Sequence, residues 1–345
     1  MKEFLLRLIA AEGPLPMDRY MALCLGHPQF GYYMNRDPFG AAGDFTTAPE
    51  ISQIFGELVG IWCVAAWEAI GSPAPFALVE LGPGRGTLMA DMLRATARME
   101  AFQAAARLHL VEMSPVLRQM QREKLGDKAH WHDSVATLPD EPVIFVANEF
   151  FDALPVRQIE KRGAAFFERA VAVRNDQLVL TEMCAPDFAF AETGLHEISS
   201  VAQAVAEDLG GRIQALGGAG LVVDYGHLET GAGDTLQALK AHTACGILDH
   251  PGESDLTAHV DFAQLAQAFR KGGAEALPPI TQGAFLAAMG LEARATKLAA
   301  QLSGKALSSF MAGTRRLIDD KAMGKLFKVL AVVQNNRAGI YPFET

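Results

Sequence analysis

The stretch FALVELGPGRG, residues 76–86, is an apolar run followed at once by three glycines at alternate positions. The run at 76–81 predicts a buried strand, and apolar residues at helical spacing over 85–99 predict a helix directly after the glycines. The glycines are Gly82, Gly84 and Gly86. They allow the sharp turn and the close backbone approach that a carboxylate or anion needs at a helix N-terminus. A tight turn without a ligand is the alternative interpretation.

Short apolar runs alternate with helical patterns on the C-terminal side of this unit, which is typical of a parallel sheet with right-handed crossovers. Further strands are predicted at 107–113, 129–132, 142–148, 220–226 and 327–335. The run PVIFVAN at 142–148 is apolar enough to be buried on both faces. The predicted fold class is therefore α/β.

Two regions depart from this alternation. Residues 1–75 are predicted to form an N-terminal helical cap that contributes to the pocket at the glycine turn, with a helix from about Glu50 onward. Residues 76–345 are predicted to form the α/β domain. Within that domain, the alternating stretch at about 155–195 is predicted to be an inserted β-meander.

The composition limits the possible partners and locations. The 345 residues carry a formal net charge of −10, with no basic run longer than the pair at 315–316. Nucleic-acid binding needs a clustered positive surface, so no nucleic-acid partner is predicted. The N-terminal stretch has no cleavage signal, and polar residues interrupt the apolar run at 51–70. We therefore predict a cytoplasmic protein without an integral membrane segment.

The cysteines and histidines give little sign of a metal site. The cysteines are Cys24, Cys63, Cys184 and Cys245, which form no Cys-x-x-Cys motif and are predicted to be reduced. His242, Cys245 and His250 lie close together, but their spacing matches no common zinc pattern. A polar loop is favoured there, and no metal is predicted.

The glycine turn is compatible with two classes of nucleoside cofactor. The dinucleotide fingerprint G-x-G-x-x-G would place its third glycine at Thr87, so that fingerprint is not matched. The order is instead acid-x-G-x-G-x-G, with Glu80 two residues before Gly82. It resembles the first motif of Rossmann-like methyltransferases that use S-adenosylmethionine (SAM), which implies that Glu80 lies near the methionine end of SAM. The turn favours a methyltransferase, and a dehydrogenase remains the alternative.

Two further strand ends carry polar residues suited to a nucleoside. Glu112 closes the second strand, where a carboxylate can accept hydrogen bonds from both ribose hydroxyls. Asp133 and Ser134 follow the third strand, and the methyltransferase resemblance implies that a polar residue there meets the adenine amino group. The alternatives are a solvated carboxylate at 112 and a helix cap at 133–134.

The fourth strand ends in the acidic segment Asn148-Glu149-Phe150-Phe151-Asp152. Substrates of open α/β sheets bind beyond the carboxyl ends of the strands, and buried carboxylates there need a cationic partner. A guanidinium fits, because its planar fork of donors matches one or two carboxylates. We predict Glu149 and Asp152 as catalytic residues that orient a guanidinium, and Asn148 as part of the cofactor site. A structural salt bridge to an arginine of the chain is the alternative.

The polar loop in GDFTTAPEIS, residues 43–52, precedes a helix that Pro49 helps to begin. Asp44, Thr46 and Thr47 are predicted to face the cofactor from this loop. The alternative is a capped loop without a ligand. His259 could line the acceptor side, although a structural role is favoured, and Asp261 is predicted to cap a helix.

Several longer motifs resemble the MidA family. They are NEFFDALPV (148–156), ELGPGRGTL (80–88), GDFTTAPEISQIFGE (43–57), SDLTAHVDF (254–262) and PPITQGAFL (278–286). The likeness covers nearly the whole chain, and the family comprises bacterial relatives of a mitochondrial methyltransferase that assists assembly of respiratory complex I. The resemblance implies a Rossmann-like class I SAM-dependent methyltransferase fold and SAM as the cofactor. It also implies symmetric dimethylation of an arginine in a core subunit of complex I.

Two other functions remain open at this point. One is a SAM-binding assembly factor that has no catalytic activity, and the intact acids at 149 and 152 argue against it. The other is a small-molecule methyltransferase, which a closed acceptor pocket would favour. The sequence gives no indication of the oligomeric state.

Overall fold

The strand at 76–81 lies in the interior of a nine-stranded mixed sheet, the largest sheet among the described residues. The structure is a computed structural model that describes residues 1–35, 47–185, 188–190, 192–335 and 339–343. Its helices are α1 (Lys2–Glu12), α2 (Met17–Gly26), α3 (Ala48–Ile51), α4 (Gln53–Ala69), α5 (Thr87–Ala95), α6 (Glu100–Ala105), α7 (Pro115–Leu125), α8 (Ser200–Leu216), α9 (Phe262–Lys271), α10 (Gln282–Ala288), α11 (Leu291–Ala299), α12 (Gly304–Ile318) and α13 (Met323–Leu326). Its strands are β1 (Leu15–Pro16), β2 (Phe76–Leu81), β3 (Ala106–Val111), β4 (Ala129–His132), β5 (Val143–Asn148), β6 (Arg157–Arg162), β7 (Ala165–Arg174), β8 (Gln177–Cys184), β9 (Gly194–Ile198), β10 (Gly218–His227), β11 (Gln237–Lys240), β12 (Thr243–Cys245), β13 (Asp255–Thr257), β14 (Val260–Asp261), β15 (Glu275–Ala276), β16 (Ile280–Thr281) and β17 (Phe327–Val333).

The strand order of the large sheet is β15-β17-β10-β5-β2-β3-β4, with β14 beside β10 and β16 beside β17. Strands β4, β3, β2, β5 and β10 are parallel, and β17 is antiparallel to β10. The chain adds β3 and β4 on one side of β2 and then crosses to place β5 on the other side. This reversal leaves a crevice beyond the carboxyl ends of β2 and β5, where ligands bind in such sheets. The predicted α/β fold is confirmed.

Helices cover both faces of this sheet. Trp62 of α4 and Leu78 of β2 belong to the core on one face, whereas Val79 of β2 and Phe269 of α9 belong to the core on the other. Because both faces of β2 are buried, its sequence is apolar apart from Glu80. In the ranges that the structure describes, no helix is long and apolar enough to span a membrane.

The inserted segment is antiparallel, as the alternation predicted. Strands β6, β7 and β8 form a meander, and β9 pairs with β6. Asn175 and Asp176 turn the chain between β7 and β8 with φ of +52° and +57°. Asparagine and aspartate tolerate these left-handed values better than other non-glycine residues, so they suit a two-residue hairpin turn.

The described part of residues 1–75 packs in two places. Strand β1 pairs with β7, and α1 and α2 share a core with the insertion in which Leu5, Tyr20 and Val171 are fully buried. Helix α4 packs on the large sheet instead. The helix expected from about Glu50 is divided, because Ser52 is extended and its hydroxyl accepts a hydrogen bond from the Ile54 N–H at 3.4 Å.

The predicted ends of the strands in the large sheet agree closely with the structure. Each predicted strand of the large sheet is present, with ends that differ by at most two residues. Asp261 caps α9 through a side-chain oxygen, as predicted, and Ser114 and Thr281 cap α7 and α10 in the same way. These local signals act within a few residues of chain, which is why sequence reading finds them.

Candidate active site

A cleft of about 900 Å³ opens beyond the carboxyl ends of the parallel strands. Seven of the predicted site residues line it: Gly82, Gly84, Glu112, Asp133, Ser134, Glu149 and Asp152. Four others lie behind or beside this lining: Glu80, Gly86, Asn148 and Thr47. Asp44 and Thr46 lie outside the described residues. The cleft therefore brings the predicted cofactor residues and the predicted acceptor acids into one space.

The glycine turn forms the floor of the cleft. Gly82, Gly84 and Gly86 have φ of +60°, +51° and +73°, so all three lie in the left-handed region that favours glycine. A Cβ atom on Gly82 would lie only 3.0 Å from Cδ2 of Phe150. Gly86 instead faces α7, where an added Cβ would lie 3.4 Å from Cγ of Gln121. The first two glycines line the cleft, with Gly82 packed against the Phe150 ring, and the third allows close packing of a helix.

Glu80 lies directly below this floor. Its side chain is 3 % exposed, and one carboxylate oxygen, Oε2, has no hydrogen-bond partner among the described residues. Burial raises the pKa of Glu80 to about 8, although the backbone N–H of Met89 and the charge of Lys124 oppose the shift. An unpaired buried carboxylate oxygen is costly, which is consistent with a polar ligand group completing its hydrogen bonding.

Glu112 is held at the end of β3 by two donors. Its Oε1 accepts a hydrogen bond from the Ser114 N–H at 2.8 Å, and its Oε2 accepts one from Nε2 of Gln121 at 3.3 Å. Burial raises the pKa of Glu112 to about 7, and these hydrogen bonds partly oppose that shift. The carboxylate is therefore fixed in orientation at the wall where the sequence predicts the ribose site.

Gln121 was not predicted, yet it joins the two halves of the cofactor side. Its side chain is fully buried, and Nε2 also donates to the carbonyl oxygen of Gly84 at 2.7 Å. Its Oε1 accepts a hydrogen bond from the indole N–H of Trp131 at 2.8 Å. The available signal was a polar residue one turn after the buried Leu117 on the inward face of α7.

Asp133 and Ser134 lie at the outer edge of the same wall. The Asp133 side chain is 82 % exposed and accepts a hydrogen bond from Nη2 of Arg118 at 2.6 Å. Nε of Arg118 also donates to the carbonyl oxygen of Glu112 at 2.7 Å. Arg118 thus links the adenine-side and ribose-side residues of the predicted nucleoside site.

Glu149 lies on the opposite wall with a positive φ of +50°, which is uncommon for a residue with a side chain. Its Oε1 accepts hydrogen bonds from the Ala48 N–H and from Nδ2 of Asn148, both at 3.2 Å. Burial and the neighbouring Asp152 raise the pKa of Glu149 to about 8, whereas the hydrogen bonds from Ala48 and Asn148 and the charge of Arg316 oppose the rise. Strained backbone and a shifted pKa in a cleft are typical of functional residues.

Asp152 is the second acid on this wall. Its Oδ2 accepts a hydrogen bond from the Tyr225 hydroxyl at 2.6 Å, and its Oδ1 is buried with no partner among the described residues. Burial raises the pKa of Asp152 to about 6, and the Tyr225 hydrogen bond opposes the rise. Each wall acid therefore keeps capacity to accept a hydrogen bond from a cationic donor.

Asp224 and Tyr225 were missed, and they shape the acidic wall. The fully buried Asp224 carboxylate accepts hydrogen bonds from the N–H groups of Phe151, Asp152 and Tyr225 at 3.0, 3.3 and 2.9 Å. Burial and the two nearby acids raise the pKa of Asp224. The signal was present, because Asp224 follows a buried apolar run near the carboxyl end of β10, and β10 lies beside β5 with Val223 opposite Asn148.

Two histidines, His259 and His242, belong to the lining of the cleft. His259 lines the cleft with its ring edge-on to Tyr225 at a centroid distance of 5.5 Å, and burial lowers its pKa. His242 also lines the cleft. Across the part of the chain that the structure describes, no group of three or more His, Cys, Asp or Glu side chains could hold a metal ion.

A parallel sheet with a glycine floor at its switch point, a fixed acid at the end of β3 and an acidic wall at β5 defines a SAM-dependent methyltransferase. The residues present fit that cofactor, since the glycine turn that lines the cleft and the unpaired oxygen of Glu80 suit its aminoacyl end. A family model described as "Putative S-adenosyl-L-methionine-dependent methyltransferase" matches residues 58–280, so the chain belongs to this family, and the resemblance to the MidA family is confirmed.

Curated proteins and a solved structure agree with this assignment. The chain is 37% identical to "Protein arginine methyltransferase NDUFAF7 homolog, mitochondrial" of Drosophila melanogaster over 94% of this chain and 82% of that protein. It is 36% identical to the Homo sapiens protein arginine methyltransferase NDUFAF7 over 98% of this chain and 84% of that one. A Burkholderia thailandensis protein crystallised with S-adenosyl-homocysteine superposes with a TM-score of 0.84 at 27% identity, covering 100% of this chain and 95% of that one.

The comparisons correct one prediction. The sequence patterns predicted a cytoplasmic protein, but the curated relatives are named as mitochondrial proteins, which contradicts that location. The prediction used the lack of a signal-peptide pattern and of an apolar span, and neither observation separates the cytoplasm from other compartments that hold proteins of this kind.

Replacing Glu112 by glutamine is expected to weaken SAM binding by about tenfold, which corresponds to ~1.4 kcal/mol. The amide keeps the size of the side chain but loses one of the two acceptor oxygens and the charge that suit a pair of ribose hydroxyls. Isothermal titration calorimetry with S-adenosyl-homocysteine measures the effect. Glu123→Gln, at an exposed position of α7 outside the cleft lining, serves as the control and should change the affinity much less. Equal affinity for Glu112→Gln and the wild type would contradict the ribose role.

Proposed function

We propose that this methyltransferase transfers the methyl group to a guanidinium nitrogen of an arginine in a protein substrate. The acidic wall carries the proposal: the buried Asp152 and the partly buried Glu149 line the same cleft as the glycine floor, and Arg316 is the only Lys or Arg side chain among the described residues that line it. Buried acids of this kind need a cationic partner, and a guanidinium can bond to both. The names of the curated relatives, which are arginine methyltransferases, also support it.

SAM supplies the methyl group on a positively charged sulfur. The acceptor nitrogen attacks the methyl carbon, the N–C bond forms as the C–S bond breaks, and one N–H proton must leave. Glu149 is proposed to accept hydrogen bonds from the reacting edge of the guanidinium and to take that proton. Asp152, fixed by the Tyr225 hydroxyl, is proposed to hold the other nitrogen so that the acceptor stays in line.

A peptide substrate is supported over a small molecule by the rim of the cleft. Met113, Val201 and Leu326 line the cleft and are 55%, 46% and 44% exposed, so apolar side chains surround an entrance that solvent reaches. Such a rim can contact the residues that flank an arginine while the guanidinium reaches the acids. We further propose a core subunit of respiratory complex I as the target and symmetric dimethylation as the product, on the basis of the family resemblance.

The direct test is incubation of the purified protein with isotopically labelled SAM and purified complex I core subunits, followed by peptide mass spectrometry. Label on an arginine side chain is expected, and the fragment ions of the modified residue distinguish symmetric from asymmetric dimethylation. Label confined to lysine, histidine or a chain terminus would contradict the guanidinium acceptor. Label on an arginine of another protein would support arginine methylation but contradict the proposal that a complex I subunit is the target.

The rate at saturating SAM is expected to rise with pH between about 6 and 9, because Glu149 and Asp152 must be ionised to bind the cation. Burial raises the pKa of Glu149 to about 8 and that of Asp152 to about 6, so both gain protons as the pH falls through this range. Protonated acids bind the guanidinium weakly and cannot accept its proton. The check is kcat/KM for an arginine peptide, obtained from initial rates across this pH range. A value of kcat/KM that does not change with pH would contradict the role of the acids. Saturating SAM is needed since the pKa of Glu112 is also raised, to about 7.

A further inference from the structure

The four-residue helix α3 touches both walls of the cleft. The N–H of its first residue, Ala48, donates to Oε1 of Glu149 at 3.2 Å. Oε1 of Glu50, in the same helix, accepts a hydrogen bond from the Thr87 hydroxyl at 2.5 Å, and its Oε2 lies 3.7 Å from Nη1 of Arg85. Thr87 is the first residue of α5 and directly follows Gly86, the last glycine of the cofactor floor. Helix α3 is therefore a bridge between the acceptor acid and the cofactor turn.

Helix α3 depends on these neighbours for its position. Helices of one turn are unstable alone, and Thr47 at its N-cap makes no side-chain hydrogen bond to it. Helix α12 supports it from outside, since a Cβ on Gly313 would lie 3.2 Å from both Cγ2 and the carbonyl oxygen of Ile51. The attachment of Glu50 to Thr87 is therefore one of the contacts, together with the packing of α12, that hold the Ala48 N–H beside Glu149.

The Thr87 hydroxyl is well suited to carry this attachment. It donates to Glu50 and accepts a hydrogen bond from Nζ of Lys124 at 2.6 Å, so both of its hydrogen-bonding functions are used. Serine could make the same two bonds, whereas valine has the same shape as threonine and can make neither. The side chain of Glu50 is only one-fifth exposed, so the bond is partly shielded from water.

We propose that Glu50 and Thr87 are positioning residues that make the geometry of Glu149 depend on occupancy of the cofactor site. A ligand on Gly82 and Gly84 fixes the start of α5, where Thr87 lies. The Thr87 hydroxyl then holds Glu50 in place. Because Glu50 belongs to α3, the first N–H of this helix is kept in hydrogen-bonding position for Glu149. Cofactor binding in this way prepares the acceptor acid before the acceptor arrives. By thermodynamic reciprocity, an acceptor bound to Glu149 tightens cofactor binding to the same extent. The inference uses the proposed role of Glu149.

Hydrogen–deuterium exchange with S-adenosyl-homocysteine as the probe tests the inference without an acceptor. In the wild type, saturating S-adenosyl-homocysteine should slow exchange of the amides in residues 48–51. In Thr87→Val this protection should be lost while the protection of α5 remains, and Thr87→Ser should behave as the wild type. Equal protection of 48–51 in the wild type and in Thr87→Val, or none in the wild type, would overturn the inference.

Glu50→Ala examines the same bond from the α3 side and replaces Thr87→Val if that variant does not fold. It should also lose the protection of 48–51 while retaining S-adenosyl-homocysteine binding. With an arginine peptide, both variants should lower kcat by about tenfold, while the dissociation constant of S-adenosyl-homocysteine measured without the peptide changes little, since the lost interaction positions the acceptor acid. Because the exchange experiment contains no acceptor, an incorrect acceptor assignment would abolish the peptide result and leave the exchange result unchanged.

Discussion

Replacing Glu149 by glutamine is expected to lower the rate of methyl transfer to arginine by at least about 100-fold, the usual range for loss of a general base or of a charge that stabilises the transition state. Glutamine has nearly the same size, and its amide oxygen can still accept the hydrogen bond that the Ala48 N–H donates to Glu149. The amide is neutral, so it can neither take the proton nor localise the charge of the guanidinium. The variant is therefore expected to keep the structure of the site and to lose only the negative charge that the reaction needs.

Single-turnover rates with labelled SAM and an arginine substrate measure this effect. The dissociation constant of S-adenosyl-homocysteine should stay within about twofold of the wild-type value, since Glu149 lies on the acceptor wall and not on the glycine floor. Glu123→Gln is the matched control, because Glu123 is an exposed glutamate of α7 away from the cleft. A Glu149→Gln rate within a few-fold of the Glu123→Gln rate would remove Glu149 from the mechanism.

Replacing Gly82 by alanine is expected to raise the dissociation constant of SAM by about 10- to 100-fold, or roughly 1.4 to 2.8 kcal/mol. Two effects combine at this position. An alanine at φ +60° is strained by ~1 kcal/mol or more, and its Cβ would lie 3.0 Å from the Phe150 ring. Relief of this contact moves either the turn or the ring, and both border the cleft. The cofactor floor would then lose the shape that lets a ligand approach the backbone.

Gly163→Ala separates strain from crowding. Gly163 has a similar φ of +62°, but an added Cβ there would meet nothing within 4 Å. Both variants should therefore lose similar stability from backbone strain, measured as a lower melting temperature, while only Gly82→Ala should lose cofactor affinity. Calorimetric titration of the two variants with S-adenosyl-homocysteine makes the comparison, and equal affinities would show that the floor tolerates a methyl group.

The sequence by itself determined the sheet, its parallel direction and the position of the glycine floor. Local patterns specify these features: apolar runs mark buried strands, helical spacing marks the crossovers, and three alternate glycines permit a turn that few other residues adopt. The acids at 112 and 149 were found for the same reason, since each ends a strand and parallel strands end at one edge. The motifs that resemble the MidA family then indicated the cofactor and the acceptor class.

Only the tertiary structure decided how the site is assembled. The Ala48 N–H meets Glu149 across a separation of 101 residues, and the Tyr225 hydroxyl meets Asp152 across 73. Local sequence patterns do not encode such contacts, because they arise where separate elements pack together. Burial in that packing also raises the pKa values of both acids, so the charge of the acceptor wall is a property of the fold. The sequence supplied the carboxylates, and the packing around them determined their orientation and protonation.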